Sequence, residues 1–121
     1  MALVTMEFDT SSLKEVTFSD IFDTSYKGAS VSSVSGTAYK LGDSDLYFIT
    51  MAITLSSITN GADIGKFKKF TIPRIVVPVI ADSDGAPDGG FYGNSSDSYT
   101  SKLYGHTKTG VHYVYFTGRL I

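Results

Sequence analysis

The residues of this chain best equipped for chemistry are an acid-rich turn, Asp82-Ser83-Asp84-Gly85 with Asp88 close behind, and two histidines, His106 and His112. Several carboxylate oxygens on a tight backbone suit a hard cation such as calcium. The detail does not fit: counted from Asp82, the sixth position is Pro87 where a calcium loop needs glycine, and the twelfth is Gly93 where it needs a bidentate glutamate. A solvated turn is the expected outcome. Two imidazoles alone fall short of a zinc ligand set. His106 and His112 sit across an expected hairpin turn at Gly105–Gly110 that would let them approach, although a surface histidine or one packed beneath a strand is the simpler reading of each.

Catalysis finds little support. There is no G-x-S-x-G nucleophile elbow. Most acids fall in turns instead of flanking a cleft as a pair. Gly89-Gly90 and Gly93 do not close a strand and open a helix as a nucleotide cradle does. The expectation is a non-enzymatic protein with no cofactor and no metal. Lys66, Lys68 and Lys69 read as a solvated rim that also discourages edge pairing. Arg74, between apolar neighbours, reads as a salt-bridge or subunit-contact residue.

The elements that must position these groups centre on Asp45–Leu55, DLYFITMAITL. Tyr47, Ile49, Met51, Ile53 and Leu55 share one parity. Leu46, Phe48, Thr50, Ala52 and Thr54 share the other, fading from large and apolar to small and polar. That is the period of a β-strand with one face in a core. Leu46 and Phe48 need a second cover, either the N-terminal segment or a neighbouring subunit. Upstream, Ser11 or Ser12 with Glu15 has capping-box character for a short helix through Ser19, and Thr17 and Phe18 suit a strand equally. Residues 27–42 read as one or two narrow strands turning at Ser35-Gly36, with a turn at Gly42-Asp43-Ser44. Asn60-Gly61 marks another turn. Pro73 and Pro78 predict two short strands around a bend, Lys69–Ile72 and Ile75–Ala81. Residues 82–101 read as a long polar loop whose Phe91, Tyr92 and Tyr99 either pin it to the body or present a flat face to a ligand. Val111–Ile121 is a final strand with His112, Val114 and Phe116 on one parity.

Composition bounds the class. A chain of 121 residues suffices for one domain with its own core. Cysteine is absent, so disulfides and thiolate metal sites are excluded. A formal net charge of -2 offers no basic surface to a phosphate backbone, which argues against nucleic-acid binding. The longest apolar run is about half of the roughly 20 residues a membrane helix needs, so neither membrane insertion nor a signal peptide is expected. Glycine, serine, threonine and aromatics with only 18% charged residues favour short strands and tight turns. The predicted fold is an all-β, jelly-roll-like antiparallel β-sandwich with, as one reading, a short N-terminal helix. Residues 1–25 would be an arm or attachment segment, or simply a lead-in strand, and residues 26–121 the head domain.

The succession YKLGDSDLYFITMAITL, a glycine-broken lysine turn, FTIPRIVVP, a Gly/Ser-rich loop and GVHYVYFTGRLI resembles the C-terminal head of phage tail-fibre and baseplate receptor-binding proteins. The matching positions are Gly42 with Tyr47, Phe70-Thr71-Ile72-Pro73 with Pro78, and Val111–Ile121, and the likeness covers about residues 36–121. It implies a homotrimeric virion protein of the phage tail that binds host cell-surface saccharide and contacts other virion proteins. Only about 35 residues precede the matching region, whereas the family's head usually follows a long stalk. The alternative is therefore a structural or adaptor virion protein that uses the same fold without a ligand. Saccharides are held by aromatic stacking and by amide and carboxylate hydrogen bonds. Outside the expected core strands, Tyr92, Asn94, Asp97, Tyr99, Tyr104 and His106 are the residues able to supply these.

Overall fold

The computed structural model describes residues 13–68, 70–71, 75–93 and 100–120. Arg74, Asn94, Asp97 and Tyr99 lie outside the described residues, as does the Ser12 capping position. The described residues form the expected all-β antiparallel fold. Its strands are β1 (Leu13–Val16), β2 (Phe22–Asp23), β3 (Val31–Leu41), β4 (Leu46–Leu55) and β5 (Ala62–Phe67). They continue as β6 (Phe70–Thr71), β7 (Ile75–Ala81), β8 (Pro87–Gly93), β9 (Ser101–Tyr104) and β10 (Gly110–Leu120). The helix α1 is a single turn, Phe18–Ile21.

Hydrogen bonding links the strands in the order β1-β3-β4-β10-β7-β8-β9-β5-β2, with β6 on β10. The pairing is one continuous sheet and does not divide into two separate sheets. Nine strands laid flat at about 4.8 Å would part β1 from β2 by about 38 Å. The residues joining Val16 to Phe22 reach at most about 20 Å even when extended. The sheet must therefore curl until its two ends lie within about 20 Å of each other. The Gly28 amide donating to the Asp63 carbonyl (2.9 Å) ties the lead-in of β3 to β5 and holds that curl.

The β4 alternation appears as predicted: Tyr47, Ile49, Met51, Ile53 and Leu55 are buried, and the intervening residues are half-buried. On β10, His112, Val114 and Phe116 face inward and Tyr115 faces out. Four phenylalanines close the core. Phe67 meets Phe22 edge-on at 4.8 Å, Phe116 at 5.7 Å and Phe91 at 6.5 Å between ring centroids.

Local signals misled where tertiary pairing overrode them. Leu13–Val16 is a strand, paired Leu13 to Leu41 and Val16 to Ala38, and the helical turn falls later, at α1. Of the 1–25 segment, the described residues 13–25 pack on the body, with Ile21 and Phe22 in the core. No turn occurs at Gly36, which lies inside an eleven-residue strand. A side chain there would meet the Phe18 ring at 2.6 Å and the Thr50 carbonyl at 2.8 Å, so glycine is what lets α1 seat against β3. Gly36→Ala is expected to cost about 1–3 kcal/mol by overpacking, read as a lower urea midpoint with an unchanged m-value. Residues 87–93 of the expected 82–101 loop form the strand β8. The Gly105–Gly110 segment is not a hairpin either, since β9 pairs with β8 and β5 while β10 pairs with β4, β6 and β7. Lys66 and Lys68 serve the N-terminal segment. Lys66 lies over the Tyr26 ring at 4.0 Å, and the Lys68 ammonium donates to the Ser19 carbonyl at 3.0 Å.

Candidate functional site

The register of β7 and β8 shifts between Pro78 and Ile80, so that Asp88 and Gly89 together oppose Val79. Such a bulge re-aims a side chain. Gly89 takes a φ of 82°, and a side chain there would collide with the Tyr104 carbonyl and the His106 amide. The bulge turns Asp88 inward, where it is 4% exposed. One carboxylate oxygen accepts from the Thr107 amide (2.8 Å) and hydroxyl (2.9 Å). The other accepts from the Lys108 amide (3.1 Å) and from His112 Nε2 (2.8 Å). His112 Nδ1 faces the Gly110 carbonyl at 2.9 Å, so an imidazole that satisfies both neighbours donates from both nitrogens. Burial alone would push the Asp88 carboxyl up. The hydrogen bonds, led by His112 and Thr107, outweigh it and hold the group well below the usual carboxylate range.

The second histidine sits beside this pair. His106 is buried, its ring centroid 6.4 Å from that of His112. Its Nε2 accepts from the Thr59 amide at 3.2 Å. That fixes the proton on Nδ1, which is buried without a hydrogen-bond partner. Burial first and the neighbouring His112 second lower its pKa. Asp88 and the nearby Ser57 carbonyl oppose them, the latter without reaching hydrogen-bond geometry. The Asp88–His112 pair is thus wholly internal, with no open side from which a substrate could reach it.

The acids of the 82–88 turn do not converge. Asp84 pairs with Lys108 and accepts from the Ala86 amide. Asp82 lies beside Tyr113, where its charge first, burial next and a hydrogen bond together raise the phenol above its usual range. Among the described residues no group of three metal-ligating side chains forms.

The outward face of β8 and β9 is the accessible constellation. Phe91 and Leu103 pair inward, which sends Tyr92 and Lys102 outward beside Gly90 and Tyr104. The Tyr92 and Tyr104 rings meet edge-to-face with centroids 6.3 Å apart, and Tyr104 is 44% exposed. Gly90 leaves a step between them, bordered by Val76, which is 70% exposed. Lys102 forms an ion pair with Asp63, both half-exposed, along the β5 side. Flat apolar rings bordered by exchangeable charged donors and acceptors suit a ligand with a C–H face and a hydroxyl rim.

The structure therefore brings together Tyr92 and Tyr104 of the residues expected for ligand binding. Its placement of His106 corrects that expectation, since a ring this buried and committed to Thr59 cannot meet an external ligand. Lys102 and Asp63 were not anticipated. Their strands flank no motif, and only the β5–β9 register aligns them.

A second outward face spans β3, β4 and β10. Its rows run Tyr39-Phe48-Thr117, Thr37-Thr50-Tyr115 and Ser35-Ala52-Tyr113, with no charged residue in them. Tyr115 is 60% exposed, and open depressions of about 340 and 320 Å³ border Tyr115 and Tyr113. Comparison with known protein families, curated proteins and solved structures finds no match to this chain.

Proposed function

We propose that this chain is a non-enzymatic recognition module for surface saccharide. The observation that carries the reading is the pairing of exposed Tyr104 with half-buried Tyr92, with the Lys102–Asp63 ion pair at its edge. A pyranose ring offers one C–H face to Tyr104 while its hydroxyls exchange into the half-exposed ion pair. A surface pair of this kind contributes little to stability, so opening it toward a ligand costs little. The resemblance of residues 36–121 to phage receptor-binding heads supports a setting on a virion, as a homotrimer. The expected ligand there is host cell-surface saccharide.

The test is a glycan array with host-surface polysaccharides, run on the intact oligomer. Tyr104→Ala is expected to weaken binding about 5–30-fold, the loss of about 1–2 kcal/mol from one aromatic anchor. Tyr115→Ser, on the other face, is expected to leave binding unchanged. Blank arrays for the wild type, or equal losses from both substitutions, would sink the reading.

A second reading is a structural or adaptor virion protein without a ligand. The Tyr113/Tyr115 face favours it, since apolar and hydroxyl-bearing sheet surface of this kind is available for subunit contact. It requires Tyr115→Ser to lower the mass of the assembly in solution with no saccharide bound at any stage.

A further inference from the structure

The connection between β4 and β5, residues 56–61, is tied to the body by few bonds. Thr59 supplies two of them: its amide donates to His106 Nε2, and its hydroxyl donates to the Ser30 hydroxyl at 3.1 Å. Ser56 supplies two more, through its amide and hydroxyl to the Ser30 carbonyl, and the Ser57 carbonyl faces His106. The Thr59–His106 bond exists only while Nε2 carries a lone pair. A proton on Nε2 would set two N–H groups against each other across 3.2 Å.

We propose that His106 is an acid-operated latch, whose protonation at Nε2 releases the 56–61 connection from the 105–109 loop. In the closed form the buried Nδ1–H faces the Ser57 carbonyl without reaching hydrogen-bond geometry, and opening gives that group water. The charged and titratable surroundings are few. His112 of β10 opposes a second positive charge at 6.4 Å, and Asp88 of β8 favours one but has both oxygens engaged. Lys108 of the 105–109 loop turns its ammonium to Asp84, and Lys102 of β9 turns its own to Asp63. The 56–61 connection itself carries no ionisable side chain.

The closed form depresses the His106 pKa, so protons bind the open form more tightly. Closure is therefore complete above pH about 6.5, the unperturbed histidine value, and weakens as pH falls below it. The opening constant grows up to about tenfold per pH unit until the lowered pKa of the closed form is reached. The consequence for ligand binding rests on the saccharide reading: Gly61 packs against the Tyr104 ring, so release of the connection removes one wall from that ring.

The test needs no saccharide, so it stands or falls separately from that reading. Amide exchange of Thr59, Asn60 and Gly61 in the intact protein, corrected for intrinsic rates, is followed from pH 7.5 to 4.5. The His106 ring nitrogens are followed by NMR in the same samples. The expected result is the Nδ1–H tautomer at pH 7.5 and a fall in Thr59 protection that tracks the ring's titration. His106→Gln, whose carbonyl can accept from Thr59 and cannot be protonated, is expected to abolish the step. Constant protection across the range, a step that persists in His106→Gln, or a protonated ring with Thr59 still protected would each overturn the proposal. Should His106→Gln fail to fold, the wild-type ring titration and Thr59 protection decide it alone.

Discussion

Replacing Asp88 with alanine is expected to destabilise the protein by about 3–5 kcal/mol, because it strands a buried His112 and two backbone amides that have no other acceptor. Asp88→Asn is expected to lose less, since its carbonyl keeps one acceptor while the charge opposite His112 disappears. A urea titration with near-UV detection measures both. The sign of the pH effect follows from the depressed Asp88 pKa. The stabilisation is present above the unfolded value of about 3.9 and is lost as pH falls through the lower folded value. A wild-type stability profile should therefore drop steeply below pH 4, and the Asp88→Ala profile should lack most of that drop. An Asp88→Ala protein as stable as wild type at pH 7 would show that the buried pair is dispensable.

Phe67→Ala is the second large effect, expected at about 3–5 kcal/mol. Phe67 is 2% exposed, and its ring touches Phe22, Phe91 and Phe116, joining β2, β5, β8 and β10 at one point of the curl. The cavity left behind cannot easily collapse when its walls come from four strands. The loss should appear as a lower urea midpoint and as early exchange of the Phe22 and Lys68 amides, because β2 and the Lys68–Ile21 bond hold the sheet's last strand. Phe67→Leu should lose distinctly less. Equal effects of the two substitutions would contradict a packing origin.

The parts of the fold legible in the sequence are those governed by strict alternation over long strands. Tyr47 to Leu55 and His112 to Phe116 place one parity inward by their own periodicity. The illegible parts depend on distant partners. Gly36 carries a turn signal, yet the Phe18 ring occupies the space a side chain would need, and no local pattern announces that. Pro87–Gly93 is poor in β-formers, and its strand is imposed by β7 on one side and β9 on the other. Gly90 there faces Pro78, and Gly89 permits the approach of the Tyr104 carbonyl.

The same division applies to the sites. Tyr92 and Tyr104 could be named as aromatics outside the expected core strands, but their contact depends on the β8–β9 register. Asp88 read as part of a solvated turn because the bulge that turns it inward is not visible locally. One signal was available for it. His112 shares the inward parity of Val114 and Phe116, and a histidine buried among apolar residues calls for an acceptor elsewhere in the chain.

The most direct test of the saccharide reading is chemical-shift mapping of isotope-labelled protein titrated with host-surface polysaccharide fragments. Saturable shifts centred on Gly90, Tyr92, Lys102 and Tyr104 are expected, with Asp63 following as its ion pair opens. No shift with any fragment, or shifts confined to Tyr113 and Tyr115, would contradict it.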